Sequence, residues 1–138
     1  MATGVSKSHF LEKELLNSVL RGVAFAAPAA VYVGLLTAAP TDAGGGTEVA
    51  GGAYARTTAV FSAATDNGAS SGSQIINSAD VVFPTATASW GTVVAVGIYD
   101  AATVGNLLYF GNLTTSQAVA TGNQFRFPAT TGLVITED

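Results

Sequence analysis

The chain has 138 residues, a length that fits one domain whose core can form without covalent staples. Only 10% of residues are charged against 49% hydrophobic, the net charge is -4, and the five cationic residues Lys7, Lys13, Arg21, Arg56 and Arg126 are scattered, which argues against nucleic-acid binding. Cysteine is absent, excluding disulfides and thiolate metal sites, and a surface so poor in charge favours association, so a homo-oligomer is expected.

Residues 1–7 are polar and read as an arm. From Phe10 onward, Leu11, Leu15, Leu16, Val19, Leu20 and Val23 recur at spacings of three and four, the pattern of an amphipathic helix. Ser8 suits its N-cap, Glu12 and Glu14 its first turn, and Arg21 followed by Gly22 its end. Such a stripe either covers the sheet of its own domain or docks on a neighbouring subunit. If it docks, Phe10, Leu11, Leu15, Leu16, Val19 and Leu20 are the interaction residues. The expected organisation is an arm and helix over residues 1–23 and a single β domain over 24–138. The apolar window at 23–40 is interrupted by Pro28, Gly34 and Thr37, so no membrane span is expected. Glu12 and Glu14 stand where a secretory leader would be basic, so no targeting segment is expected.

A first strand is predicted over 31–36, after Pro28 has ended any helical continuation. The glycine-rich stretch 37–53 lacks the Lys and Ser/Thr of a phosphate-binding loop and no helix pattern follows it, so it reads as a surface connection. Residues 54–61 alternate as a second strand, 65–73 form a polar loop, and short strands are predicted at 74–77 and 81–83, the latter closed by Pro84. The richest stretch follows. Two apolar, β-branched and aromatic runs, 89–100 and 107–110, flank a link holding Asp100, Gly105 and Asn106, which predicts a central hairpin with Val94, Val96 and Ile98 inward and Leu107 and Tyr109 paired near them. Residues 111–117 are expected to turn the chain and 118–121 to form a short strand. Gly122-Asn123 marks a turn, Phe125 and Phe127 alternate inward, and 133–136 is the last strand. The fold class expected is mainly β: an antiparallel β-sandwich, jelly-roll-like, with one N-terminal helix.

No catalytic constellation emerges, and no cofactor, metal or catalytic residue is expected. His9 is the only histidine and has no ligand cluster around it. Asp42, Glu48, Asp66, Asp80 and Asp100 occur singly in turn-like contexts, where carboxylates bond to the backbone; a glycosidase pair among them is the weaker reading. Trp90, between Ser89 and Gly91, reads as a core aromatic, with an exposed binding platform as the weaker reading. Asn112-Leu113-Thr114 matches a glycosylation sequon, which carries no weight without a secretory route.

Several motifs occur together in order: Val31-Tyr32-Val33-Gly34-Leu35-Leu36-Thr37-Ala38-Ala39-Pro40-Thr41-Asp42, Gly51-Gly52-Ala53-Tyr54-Ala55-Arg56, Val82-Phe83-Pro84-Thr85-Ala86-Thr87-Ala88-Ser89-Trp90-Gly91, Gly97-Ile98-Tyr99-Asp100-Ala101-Ala102 and Gly105-Asn106-Leu107-Leu108-Tyr109. In these the chain resembles a family of small tailed-bacteriophage virion proteins commonly labelled tail-fibre proteins, from the N-terminal helix to the C-terminus. The resemblance implies a non-enzymatic structural protein located in the virion. Neither a repeat nor a heptad run supplies a fibre shaft. The expectation is therefore a capsid decoration or cement protein, a small homo-oligomer whose partners are itself and virion proteins such as the major capsid protein. The alternative is a tail-fibre or tail-tip module contacting the host surface; a glycan-acting enzyme comes third.

Overall fold

The computed structural model describes residues 1–2, 5–68 and 72–137; positions 3–4 of the predicted arm and 69–71 of the predicted polar loop lie outside the described residues. In chain order the elements are β1 (Ser6–Lys7), α1 (His9–Arg21), β2 (Val31–Ala38), β3 (Thr47–Glu48), β4 (Thr57–Ala59), β5 (Thr65–Asp66), β6 (Ser73–Ile76), β7 (Val81–Val82), β8 (Gly91–Tyr99), β9 (Leu107–Val119), β10 (Arg126–Phe127) and β11 (Val134–Glu137).

The apolar, β-branched runs build one antiparallel sheet in the order β1-β9-β8-β2-β3, with β4 also paired to β2. A pair β10-β7 and a triplet β11-β6-β5 complete the architecture. One hydrophobic cluster joins Val33, Leu35, Val96 and Ile98 of the large sheet to Val81, Phe83, Phe125, Phe127, Leu133 and Ile135 of the smaller elements. The fold is thus mainly β, an antiparallel sandwich with a single helix. Phe83, Phe125 and Phe127 meet edge to face with centroids 5.1–6.3 Å apart. Trp90 is buried, and its indole Nε1 donates to the Gly52 carbonyl at 2.9 Å, the partner a buried indole needs.

The central hairpin forms as expected, with Ile98 opposite Tyr109 and Tyr99 opposite Leu107. Two details differ. The inward valine is Val93, with Val94 only half-buried, because the register shifts there: Val93 pairs with Gln117 and Ala95 with Asn112, so two steps along β8 span five along β9. An irregularity of this kind reverses the alternation of faces on one side of it. The same irregularity lets β9 run through 111–117, where a turn was expected. Its Asn112, Thr114, Thr115, Ser116 and Gln117 are exposed, and polar side chains on a solvent face do not end a strand.

The predicted strand 54–61 shrinks to β4, since Tyr54 and Arg56 reach instead for Glu48. Conversely, β3 and β5 lie within segments read as loops. The residues read as an arm are seated on the body. Ser6 and Lys7 pair with Phe110 and Tyr109, Ala2 bridges Leu113 and Leu133, Ala2 and Val5 are buried, and Lys7 forms an ion pair with Glu137. Polar Ser6 and Lys7 disguise an edge strand whose apolar neighbours point inward. Buried Asn77 is saturated: its Nδ2 donates to the carbonyls of Ala79 and Pro128, both at 2.9 Å, and its Oδ1 accepts from the Leu133 amide at 3.0 Å.

Candidate interaction surface

Helix α1 is held at one end. The Ser8 Oγ caps it by accepting from the Leu11 amide at 3.2 Å, and the same hydroxyl donates to the Leu107 carbonyl. The Ser8 amide donates to the Leu108 carbonyl and the His9 amide to the Asp42 carbonyl, both at 2.8 Å. At the other end Gly22 is left-handed (φ 66°), and its amide and that of Val23 close on the Asn17 carbonyl. Arg21 Nη1 donates to Asn17 Oδ1. Between these ends the helix meets the body chiefly at β9, and Leu11 is its one buried residue.

The six residues of the stripe therefore part company. Leu11 packs inward and Leu15 is half-buried. Phe10 is 37% exposed, Leu16 59%, Val19 77% and Leu20 75%. A step of 100° per residue explains the split: Leu16, Val19 and Leu20 share a face that Leu11 does not. Leu15, Leu16, Val19 and Leu20 line a shallow apolar groove of about 440 Å³, rimmed by Lys7 and Glu12. The apolar surface continues beyond the helix, where Val23, Ala24, Ala26, Ala27, Ala29 and Ala30 are all exposed on the way to β2. That continuation lay outside the predicted interaction residues; its signal was the lack of any charge between Arg21 and Asp42. No helix among the described residues is long and apolar enough to cross a membrane.

A second concavity of about 690 Å³ opens between the first turn of α1 (His9, Phe10, Lys13, Glu14), the turn at Asp42 to Gly45 and the residues Gly105 to Leu107. His9 lies at its margin, 3.8 Å from Glu12. Among the described residues no three His, Cys, Asp or Glu come together as metal ligands.

Three of the five candidate carboxylates, Glu48, Asp80 and Asp100, are engaged structurally. Glu48 forms a two-pronged pair with Arg56, Nε to Oε1 and Nη2 to Oε2, both 2.8 Å, and accepts from the Tyr54 hydroxyl at 2.8 Å. Arg56 Nη1 also donates to the carbonyls of Ala101 and Val104, and its guanidinium lies 3.5 Å from the centroid of the Tyr99 ring. The Tyr54 hydroxyl in turn accepts from the Leu35 amide at 2.9 Å. Burial alone would raise the Glu48 pKa; the hydrogen bonds from Arg56 and Tyr54 and the charge of Arg56 outweigh it and hold the carboxyl below its ordinary value. Burial and the nearby Glu48 push the Tyr54 hydroxyl far up, so it stays protonated as a donor. Asp100 accepts from the Asn106 amide at 2.7 Å and side chain at 2.8 Å, and Asp80 from the Ala129 amide at 2.7 Å. These are the backbone-supporting roles expected of lone carboxylates in turns.

The geometry therefore offers a clasped β body and an apolar protrusion. No curated protein matches the chain. The family model described as podophage GP4 fiber I protein gp80 matches residues 6–135, which takes in α1 and nearly the whole β body. The chain belongs to this podophage fiber I family, and it is a structural component of the virion.

Proposed function

We propose that the protein is a non-enzymatic subunit of the phage tail fibre, with the β body displayed toward the host surface and residues 16–30 seating it in the assembly. The observation that carries this reading is the family match over residues 6–135. It favours the tail-fibre alternative over the capsid decoration expected from the missing shaft. The exposed Leu16, Val19 and Leu20 support the second half, because a contiguous apolar face on a protein with so few charges is a contact surface. The engagement of Glu48, Asp80 and Asp100 in structural bonds supports a role without catalysis. Gold-labelled antibody fragments raised against the β body test the assignment on intact virions. Label at the tail, with adsorption to host cells blocked, is the expected result; label spread over the capsid overturns it.

A further inference from the structure

We propose that a slot between the large sheet and the β11-β6-β5 triplet is a binding site for a small, uncharged, apolar molecule of a single ring. The site lies in the β body and is independent of the assembly element at residues 16–30.

The slot has a volume of about 160 Å³. Val31 of β2, Ile98 of β8 and Leu108 and Tyr109 of β9 line one side of it. Ile75 of β6 and Ile135 of β11 line the other, and Phe61 completes the lining. Ile98, Leu108 and Ile135 are buried, whereas Val31, Phe61, Ile75 and Tyr109 are half-buried, so the slot reaches the core and opens to solvent. The four half-buried side chains all pack on the margin of the hydrophobic cluster. The core is left open at this place, and a guest of the right size would close it.

The slot is shaped by a departure from regular register. One step along β8, from Ile98 to Tyr99, spans two along β9, from Tyr109 to Leu107, which leaves Leu108 as the extra residue. Bulges re-aim side chains and are enriched beside functional sites, and here the extra residue is part of the slot lining. On either side of the slot the pairing is regular, Ile98 opposite Tyr109 and Ile75 opposite Ile135, so the lining side chains are held in fixed positions.

The lining sets the class of ligand. Its only polar side chain is Tyr109, whose hydroxyl already donates to Glu137. Water in the slot would lack the two to four polar partners that hold a buried water, so an apolar group displaces it at little cost. A charged ligand would find no counter-charge in the lining and would lose its hydration. Size narrows the class further, because an apolar cavity of ~150 Å³ takes a guest the size of benzene, and a sugar chain or a folded segment is too large.

Toluene is the probe, with benzoate as the same ring carrying a charge. Both are titrated into the full chain labelled at its isoleucine, leucine and valine methyl groups, and the methyl resonances are followed. Toluene is expected to shift Ile98, Leu108 and Ile135 saturably with a Kd of about 1 mM or tighter, and to raise the unfolding midpoint. Benzoate is expected to bind at least about tenfold more weakly. Val31→Phe and Ile75→Phe each fill the slot from a half-buried position, and either folded variant is expected to lose about tenfold or more in toluene affinity. Absence of a saturable shift overturns the site. Shifts confined to Leu16, Val19 and Leu20 overturn it as well, since they place toluene on the helix. Equal binding of benzoate, or toluene binding that survives the filling substitutions, does the same.

Discussion

Arg56 is the residue on which the outer face of the sheet depends, and replacing it measures that dependence. Its side chain is 7% exposed and makes the two bonds to Glu48, the bonds to the Ala101 and Val104 carbonyls and the contact with the Tyr99 ring. Breaking a buried ion pair from one side costs about 3–5 kcal/mol, because the remaining charge stays desolvated. Glu48 is 27% exposed and keeps the Tyr54 hydroxyl, which moderates the penalty, so Arg56→Ala is expected at the lower end, about 3 kcal/mol. Arg56→Lys keeps the charge but not the planar fork, and is expected to cost about 2 kcal/mol. Urea unfolding followed by the fluorescence of Trp90, the only tryptophan and a buried one, reads both. With a slope of about 2 kcal/mol per molar urea, Arg56→Ala moves the midpoint by about 1.5 M at unchanged slope. A loss below about 1 kcal/mol would refute the argument, and would mean that water replaces the guanidinium at Glu48 and at both carbonyls.

Ile98→Ala in the middle of β8 is expected to cost about 3 kcal/mol, since Ile98 is buried opposite Tyr109 and its removal leaves a cavity; calorimetry showing under 1 kcal/mol would place the strand at an edge. Glu48 gives a pH signature. Its folded pKa lies below the ordinary value of 4.5, so its contribution is complete above that pH and disappears as pH falls through the folded value. Denaturation midpoints recorded between pH 7 and pH 3 should therefore fall more steeply for the wild type than for Glu48→Gln, and parallel curves would remove Glu48 from the acid response.

The hairpin was legible because both of its runs are long, apolar and bounded by turn residues, and Phe125 and Phe127 were legible because two-residue alternation survives wherever the register is regular. The length of β9 was not. Thr114, Thr115 and Ser116 look like a turn in composition, and only the pairing of β8 with both halves of β9 reveals a continuous strand. Tyr54 and Arg56 misled in another way: their alternation is real, but their polar tips are drawn to Glu48, six and eight positions earlier, and no local pattern encodes that pull. Of the interaction stripe, periodicity could say that Leu11, Leu16 and Leu20 belong to a helix. It could not say which of them faces the body, because the apolar arc was wider than one contact.

The motifs that carry the family likeness converge on that same clasp. Gly34 and Gly97 are paired across β2 and β8, and a Cβ on Gly34 would lie 2.9 Å from Glu48 Oε1 while one on Gly97 would lie 2.8 Å from the Tyr99 ring. Two adjacent glycines make a flat place on the sheet, and Tyr99, Arg56, Glu48 and Tyr54 fill it. The likeness thus reports how the body is closed. The contact surface proposed above lies elsewhere, in residues 16–30.

That separation decides how the N-terminus should be tested. Deleting residues 1–23 removes the exposed helix face, but it also removes Ala2, Val5 and Leu11 from buried positions and uncovers the edge of β9. Loss of assembly in such a mutant would not distinguish a missing interface from a damaged fold. Deleting only residues 1–7 isolates the second effect. Losing a buried valine, a buried alanine, the β1 pairing and the Lys7–Glu137 ion pair is expected to cost about 3 kcal/mol or more out of the 5–15 typical of a domain. It should also promote aggregation through the bared β9 edge. Leu16→Gln with Leu20→Gln isolates the first effect, since both side chains are already in water. Thermal unfolding of the two mutants side by side makes the comparison. A shortened chain that unfolds at the wild-type midpoint would mean that residues 1–7 rest on the body without stabilising it.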